Sequence, residues 1–316
     1  MKELQLIINS SEITAGTRGS SLGPDAVITA ARKKNNYFFR DHPVMRIENE
    51  NQLLDTEVEY PFAKRIEGLV KIFSRMSIAV EQTLKSGKFP YVLASDHGSA
   101  GGTIAGIKSA YPTKRLGVIW IDAHGDLHTP YTTPTGNMHG MPLATALGED
   151  NLECKSNDPH TEIVDYWNAL KNTGIEGAKV NPEDLVFIGV RDTEKQEDAI
   201  IERYGITNHT VEEVRANGAS EIVRRSLEQL SDCDIIYVSF DVDSMDPELT
   251  SYGTGTPVAN GISPEEAHDF LCSFGQEEKL VCMEFVEVNP CLDNKKNRMA
   301  EITFDLFEAA ANSIKK

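Results

Sequence analysis

Cysteine is scarce in this chain and poorly spaced for bridging. Cys154, Cys233, Cys272, Cys282 and Cys291 are odd in number and never fall in C-x-x-C spacing. That pattern argues against a disulfide framework and a thiolate zinc site, and predicts buried, reduced thiols. Long apolar runs are also missing. No stretch approaches the roughly 18 residues needed to span a bilayer. The opening MKELQLIINSSE has neither a signal-peptide core nor a cleavage site, so the expected location is cytoplasmic. Basic residues are outnumbered, 31 Lys and Arg against 49 Asp and Glu, for a net charge of −18. So acidic a chain, with no basic stripe, excludes nucleic acid and anionic membrane as expected partners.

What remains is an ordinary soluble composition, 40% hydrophobic over 316 residues, with ample length for a core. Strands are expected at 4–9, 91–95, 116–121, 185–192, 235–240 and 280–288. Helices are expected from Asp25 to about Lys34, Pro61 to Ser86, 103–110, 139–147, Glu194 to Tyr204 and 219–230. Two more follow, one capped by Ser263 with Pro264 at its first position and one from Arg298. Residues 41–60 read as an irregular surface excursion and 149–162 as a polar rim loop. Unbroken apolar strands alternating with helices are the signature of a parallel sheet covered on both faces. The expected fold class is therefore α/β: a doubly wound parallel sheet with helices on both faces, forming one domain over 1–316. Ligands in such folds bind beyond the carboxyl ends of the strands.

Chemistry-bearing residues gather at those ends. The run Leu116 to Ile121 leads into Asp122, His124 and Asp126, separated by Ala123 and Gly125. If the extended backbone continued, alternation would put all three on one face. Ile235 to Phe240 delivers Asp241 and Asp243 in the same way, and YVLASDH ends on Asp96 and His97. A single aspartate after a strand is usually a turn residue or cap, a reading that suffices for Asp96, Asp192 and Asp246. Six oxygen and nitrogen donors exceed the needs of one ion, and shared between two they suit a binuclear site for hard divalent metals. GSAGG at 98–102 lacks the Lys-Ser/Thr ending of a phosphate loop. His42, His160, His209 and His268 lie outside any cluster.

Several blocks then carry a resemblance. SDHGSAGG (95–102), DAHGD (122–126) and SFDVDSMDPELTSYGTGTP (239–257) occur in order, with EVNP (287–290) and the early GTRGSSLGPDAV. Together they resemble the signatures of the ureohydrolase family: arginases, agmatinases and their relatives. The similarity covers nearly the whole chain. It implies two manganese ions, one held by His97, Asp122, Asp126 and Asp241, the other by His124, Asp122, Asp241 and Asp243. It further implies a metal-bridging hydroxide that attacks a guanidinium carbon and releases urea and an amine. Asp126 would stabilise the intermediate and protonate the leaving amine. His139, in GNMHG, matches a proton-shuttle position, Glu287 the guanidinium-orienting carboxylate, and Thr256 a supporting position beside it. In TPYTTPTGNMHGMP, Thr133, Thr135 and Asn137 match a loop that binds an amino acid's α-carboxylate.

The chain departs from the family pattern in places. His128 stands where arginases carry Asn, Glu194 where an Asp meets the α-amino group, and Ala94-Ser95 where glycines are usual. L-arginine is the favoured substrate, giving ornithine and urea. The alternatives are an agmatinase, a guanidino-acid hydrolase, a formimidoylglutamase or an inactive regulatory homologue. The related metal-dependent deacetylases fit the GNMHG loop poorly. Family members form homotrimers or homohexamers, and the same is expected here.

Overall fold

The computed structural model describes residues 3–314, so Met1, Lys2, Lys315 and Lys316 of the expected 1–316 domain lie outside the described residues. The strands are β1 (Leu4–Asn9), β2 (Val44–Ile47), β3 (Phe89–Ala94), β4 (Leu116–Ile121), β5 (Leu185–Ile188), β6 (Thr207–His209), β7 (Ile235–Asp241) and β8 (Leu280–Val286). They form one sheet in the order β2-β1-β3-β8-β7-β4-β5-β6, and every pairing in it is parallel. The connecting helices are α1 (Gly23–Lys33), α2 (Phe38–Asp41), α3 (Ile66–Lys85), α4 (Ala100–Ala110), α5 (Pro142–Leu147) and α6 (Thr161–Lys171). They continue with α7 (Lys195–Tyr204), α8 (Val211–Asn217), α9 (Ala219–Gln229), α10 (Pro264–Gly275) and α11 (Arg298–Ser313).

Period-two alternation along the buried strands feeds two separate cores. Leu93, Ile119, Val238 and Phe285 face α1, α9, α10 and α11, whose Val27, Ile222, Phe270 and Phe307 complete one layer. Val92, Trp120, Tyr237 and Cys282 face the other way, onto Phe73 of α3, Ile104 of α4, Trp167 of α6 and Ile200 of α7. The expected α/β fold with helices on both faces is what the chain adopts. The central strands β3, β4 and β7 are buried at every residue, which is why they read as unbroken apolar runs.

Most expected elements lie where the pattern put them. The Ser263 hydroxyl accepts the Glu266 amide at 3.1 Å, and the Glu266 carboxylate accepts the Ser263 amide at 2.7 Å, closing a full capping box on α10. Three differences stand out. Residues 41–60 contain β2, an edge strand exposed at Val44 and Arg46, so no apolar alternation announces it. Helix α6 begins at the end of the expected rim loop, and β6 and α8 fill a stretch that carried no expectation. Of the thiols expected to be buried, only Cys233 and Cys282 are; Cys154 and Cys272 are half-buried, Cys291 is exposed, and all five are free. Among the described residues no helix is long and apolar enough to cross a membrane.

Candidate metal centre

The strand order brings β3, β8, β7 and β4 side by side; the carboxyl ends of β3, β7 and β4 supply the candidate ligands, and that of β8 leads into Glu287. Strand alternation is not what points these ligands inward. β4 ends at Ile121, and the Asp122 carboxylate accepts the His124 amide at 2.7 Å, folding the chain into a turn. β7 ends the same way: the Asp241 carboxylate accepts the Asp243 amide at 2.8 Å. Two aspartate turns of one kind, on neighbouring strands, thus project two ligand pairs into one space. Asp126 leaves its turn with φ +51°, and Glu287, just past β8, with φ +69°. Side chains rarely adopt such angles, and here both carboxylates are aimed at the cluster.

The donor atoms converge closely. His97 Nδ1 lies 2.9 Å from Asp122 Oδ2, 3.2 Å from Asp126 Oδ2 and 3.3 Å from Asp241 Oδ2. His124 Nδ1 lies 3.1 Å from Asp243 Oδ2 and 3.5 Å from Asp122 Oδ1. Two triads result, His97-Asp122-Asp241 and Asp122-His124-Asp243, with donor atoms in each within 4.8 Å of one another. Asp122 is common to both. Asp241 groups with the first triad, and Asp126 stands beside it through the contact to His97. The arrangement is consistent with a binuclear metal centre.

Electrostatics tests whether a cation fits. Burial and the neighbouring Asp122 charge push the Asp126 carboxyl up to about 7. Burial and the Asp243 and Asp122 charges drive Asp241 well above the usual carboxylate range. Burial opposes charge on His97 and His124, yet the surrounding carboxylates raise both imidazoles. The cluster therefore retains protons when it holds no cation. His97 Nδ1 and Asp122 Oδ2 are also fully buried and make no satisfactory hydrogen bond. Buried polar atoms are normally paired, and a divalent ion ligated by both would satisfy them.

Supporting contacts fix the cluster. His97 Nε2 lies 2.8 Å from Ser239 Oγ, and the ring stacks on Trp120 with centroids 4.0 Å apart and 2° between planes. The Thr256 hydroxyl donates to Asp243 Oδ2 at 2.9 Å, so this residue supports a candidate ligand directly. Glu287 is buried and accepts the His97 amide at 2.9 Å. His139 Nδ1 reaches within 3.4 Å of Glu287 Oε1.

A pocket opens over the cluster. His97, His124, Asp126, Asp241, Asp243 and His139 line its depth, and His128, Thr133, Thr135, Asn137, Glu194 and Thr256 line its walls. Asp122 and Glu287 are buried against the lining residues His97 and His139. His128 Nε2 is 3.7 Å from Glu194 Oε2 and 3.5 Å from Glu197 Oε2. Three residues with a part here escaped the sequence reading. Ser239 and Trp120 sat inside apolar runs and read as strand core. Glu197 lay unremarked inside the helix expected from Glu194, yet it is buried and lines the pocket.

Fold and site together define a class: α/β enzymes with a carboxylate–imidazole centre suited to two metal ions at the carboxyl ends of a parallel sheet. The model of the arginase family matches residues 6–311. The chain is 32% identical to an arginase of Bacillus caldovelox and 33% identical to one of Brevibacillus brevis. The first alignment covers 97% of each chain, the second 98% of this chain and 97% of its relative. The crystal structure of arginase from Bacillus subtilis strain 168 superposes with a TM-score of 0.83 at 31% identity, over 100% of this chain and 99% of that one. The chain belongs to the arginase family. It is a ureohydrolase acting on linear amidines.

Proposed function

We propose that this enzyme hydrolyses the guanidinium group of L-arginine, giving ornithine and urea, with two manganese ions as cofactors. The observation that carries the reading is the pair of triads sharing Asp122 at the floor of a pocket whose walls hold both carboxylates and uncharged donors. His97, Asp122, Asp126 and Asp241 would hold one ion, and His124, Asp122, Asp241 and Asp243 the other. When bound, two such ions supply Lewis acidity and a water acidic enough to act as a nucleophile at neutral pH.

The remaining work falls to side chains. Glu287, anchored by the His97 amide, pairs with the planar guanidinium and turns its carbon toward the centre. Asp126, beside the first triad, would take the proton left by the attacking water and pass it to the leaving amine. His139 is partly exposed and lies beside Glu287, so it can exchange protons between the pocket and solvent. Thr256 holds Asp243 in place. His128, Thr133, Thr135 and Asn137 offer donors to the substrate's α-carboxylate, and Glu194 meets its α-amino group.

The test is urea release by the manganese-loaded protein from L-arginine, agmatine and guanidinobutyrate. Turnover of arginine alone is expected. Turnover only of the other two would overturn the substrate while leaving the amidine chemistry. A second reading, another ureohydrolase substrate, rests on one contact: the His128 imidazole lies 3.7 Å from Glu194 and partly occupies it.

A further inference from the structure

The carboxylate-recognising wall of the pocket leans on a cation from outside it. Lys64, in the turn before α3, donates its ammonium to Asn137 Oδ1 at 3.0 Å. Its backbone amide donates to the Gly136 carbonyl at 2.9 Å, so the two loops are joined at consecutive residues. Among the described residues Lys64 has no carboxylate partner.

The contact has a directional consequence. Asn137 presents an oxygen and an NH2 group, and a lysine can only donate. The oxygen is therefore fixed toward Lys64 and the NH2 is turned away from it. Among the described residues that NH2 makes no hydrogen bond, leaving both its protons for a ligand. The backbone makes room for it: a Cβ added at Gly16 would meet Asn137 Nδ2 at 2.7 Å. On the same loop, the Thr135 hydroxyl accepts the Asn137 amide at 3.2 Å, and the Thr133 hydroxyl accepts the Gly136 amide at 2.9 Å. Both hydroxyl protons stay available for an acceptor.

We propose that Lys64 is a positioning and specificity-determining residue, which orients the Asn137 amide and adds positive potential so that the pocket selects substrates bearing a distal carboxylate. The inference deepens the arginine reading and rests on it. It assigns the choice between an amino acid and its decarboxylated amine to a residue outside the pocket lining. Hydrogen bonds to a charged acceptor are stronger than neutral ones, and a nearby cation favours the same acceptor.

The experiment compares the manganese-loaded wild type with K64M, K64Q and K64R. Urea kinetics are measured with L-arginine, agmatine affinity is read as a KM or as a competitive Ki, and calorimetry gives the Kd of L-arginine. K64M is expected to raise the arginine KM and Kd about tenfold, with kcat changed much less and agmatine affinity shifted less than twofold. K64R should recover most of the loss, and K64Q, which keeps a donor without charge, should recover part of it. Equal losses for arginine and agmatine would make Lys64 a structural tie between loops and overturn the inference. So would an unchanged arginine affinity in K64M. A wild type that binds arginine without releasing urea would overturn the proposed activity alone, because the Lys64 comparison is then read from Kd.

Discussion

His97 Nε2 lies 2.8 Å from the Ser239 hydroxyl, while Nδ1 of the same ring faces three carboxylates. One nitrogen is thereby engaged by the hydroxyl, and the other faces the position of a candidate metal ion. Partners of this kind typically contribute 10- to 100-fold to metal affinity. Ser239→Ala should weaken manganese binding by about that factor, read by competition with a chelator. An unchanged affinity would show that the stack on Trp120 orients the ring unaided.

His139 approaches Glu287 without belonging to either triad. His139→Asn should therefore leave the metal content at wild-type level and lower kcat by roughly 100-fold, the usual scale for a lost proton-transfer group. Metal analysis and urea kinetics on one sample decide the matter. Joint loss of metal and activity would remove His139 from proton transfer.

Burial pushes the Glu197 carboxyl up to about 7, although it accepts the Glu194 and Leu127 amides at 3.1 Å each. The unfolded chain ionises this group near the ordinary glutamate value. Its contribution to stability is therefore full at pH 4 and lost as pH rises through about 7. The span corresponds to about 3 kcal/mol at most. Glu197→Gln cannot titrate but gives up one accepted amide, at a cost of about 1 kcal/mol. In metal-free protein the variant should be the less stable at pH 5 and equal or more stable at pH 8. Parallel melting curves across that range would contradict this.

Gly136 takes φ +74°, and a Cβ there would sit 1.8 Å from the Pro61 carbonyl oxygen. The left-handed angle alone costs a substituted residue roughly 1–2 kcal/mol, and the overlap forces the loop away. Gly136→Ala should lower Tm by several degrees and weaken arginine binding with it, since the Lys64 amide hangs on the Gly136 carbonyl. Calorimetry reads both effects, and an unaltered Tm would mean that the loops separate freely.

Much of this was legible in the chain because function and burial leave opposite marks on adjacent residues. A fully buried strand must be apolar, so Asp122 after Ile121 and Asp241 after Phe240 interrupt the pattern abruptly. Ser263-Pro264 and Arg298 mark helix starts by local chemistry, which needs no tertiary knowledge. Val44–Ile47 left no such mark, because only Met45 and Ile47 face the core in so short an edge strand, and the apolar Val44 on the exposed face blurs the alternation. Lys64, Ser239 and Glu197 were silent for another reason. Each acquires its part from a neighbour far along the chain: Asn137 for Lys64, His97 for Ser239, and Leu127 for Glu197.

The strand order also governs how the site is held together. β8, the last strand in sequence among the described residues, lies between β3 and β7. His97 follows the first of those two strands and Asp241 ends the second. Until residues 280–286 are inserted, the halves of the first triad stand on either side of a gap in the sheet. All six candidate ligands precede β8 in sequence, yet the sheet that gathers them runs through it. Assembly of the first triad thus hangs on a pairing made far along the chain, that of β8 with β3 on one side and β7 on the other.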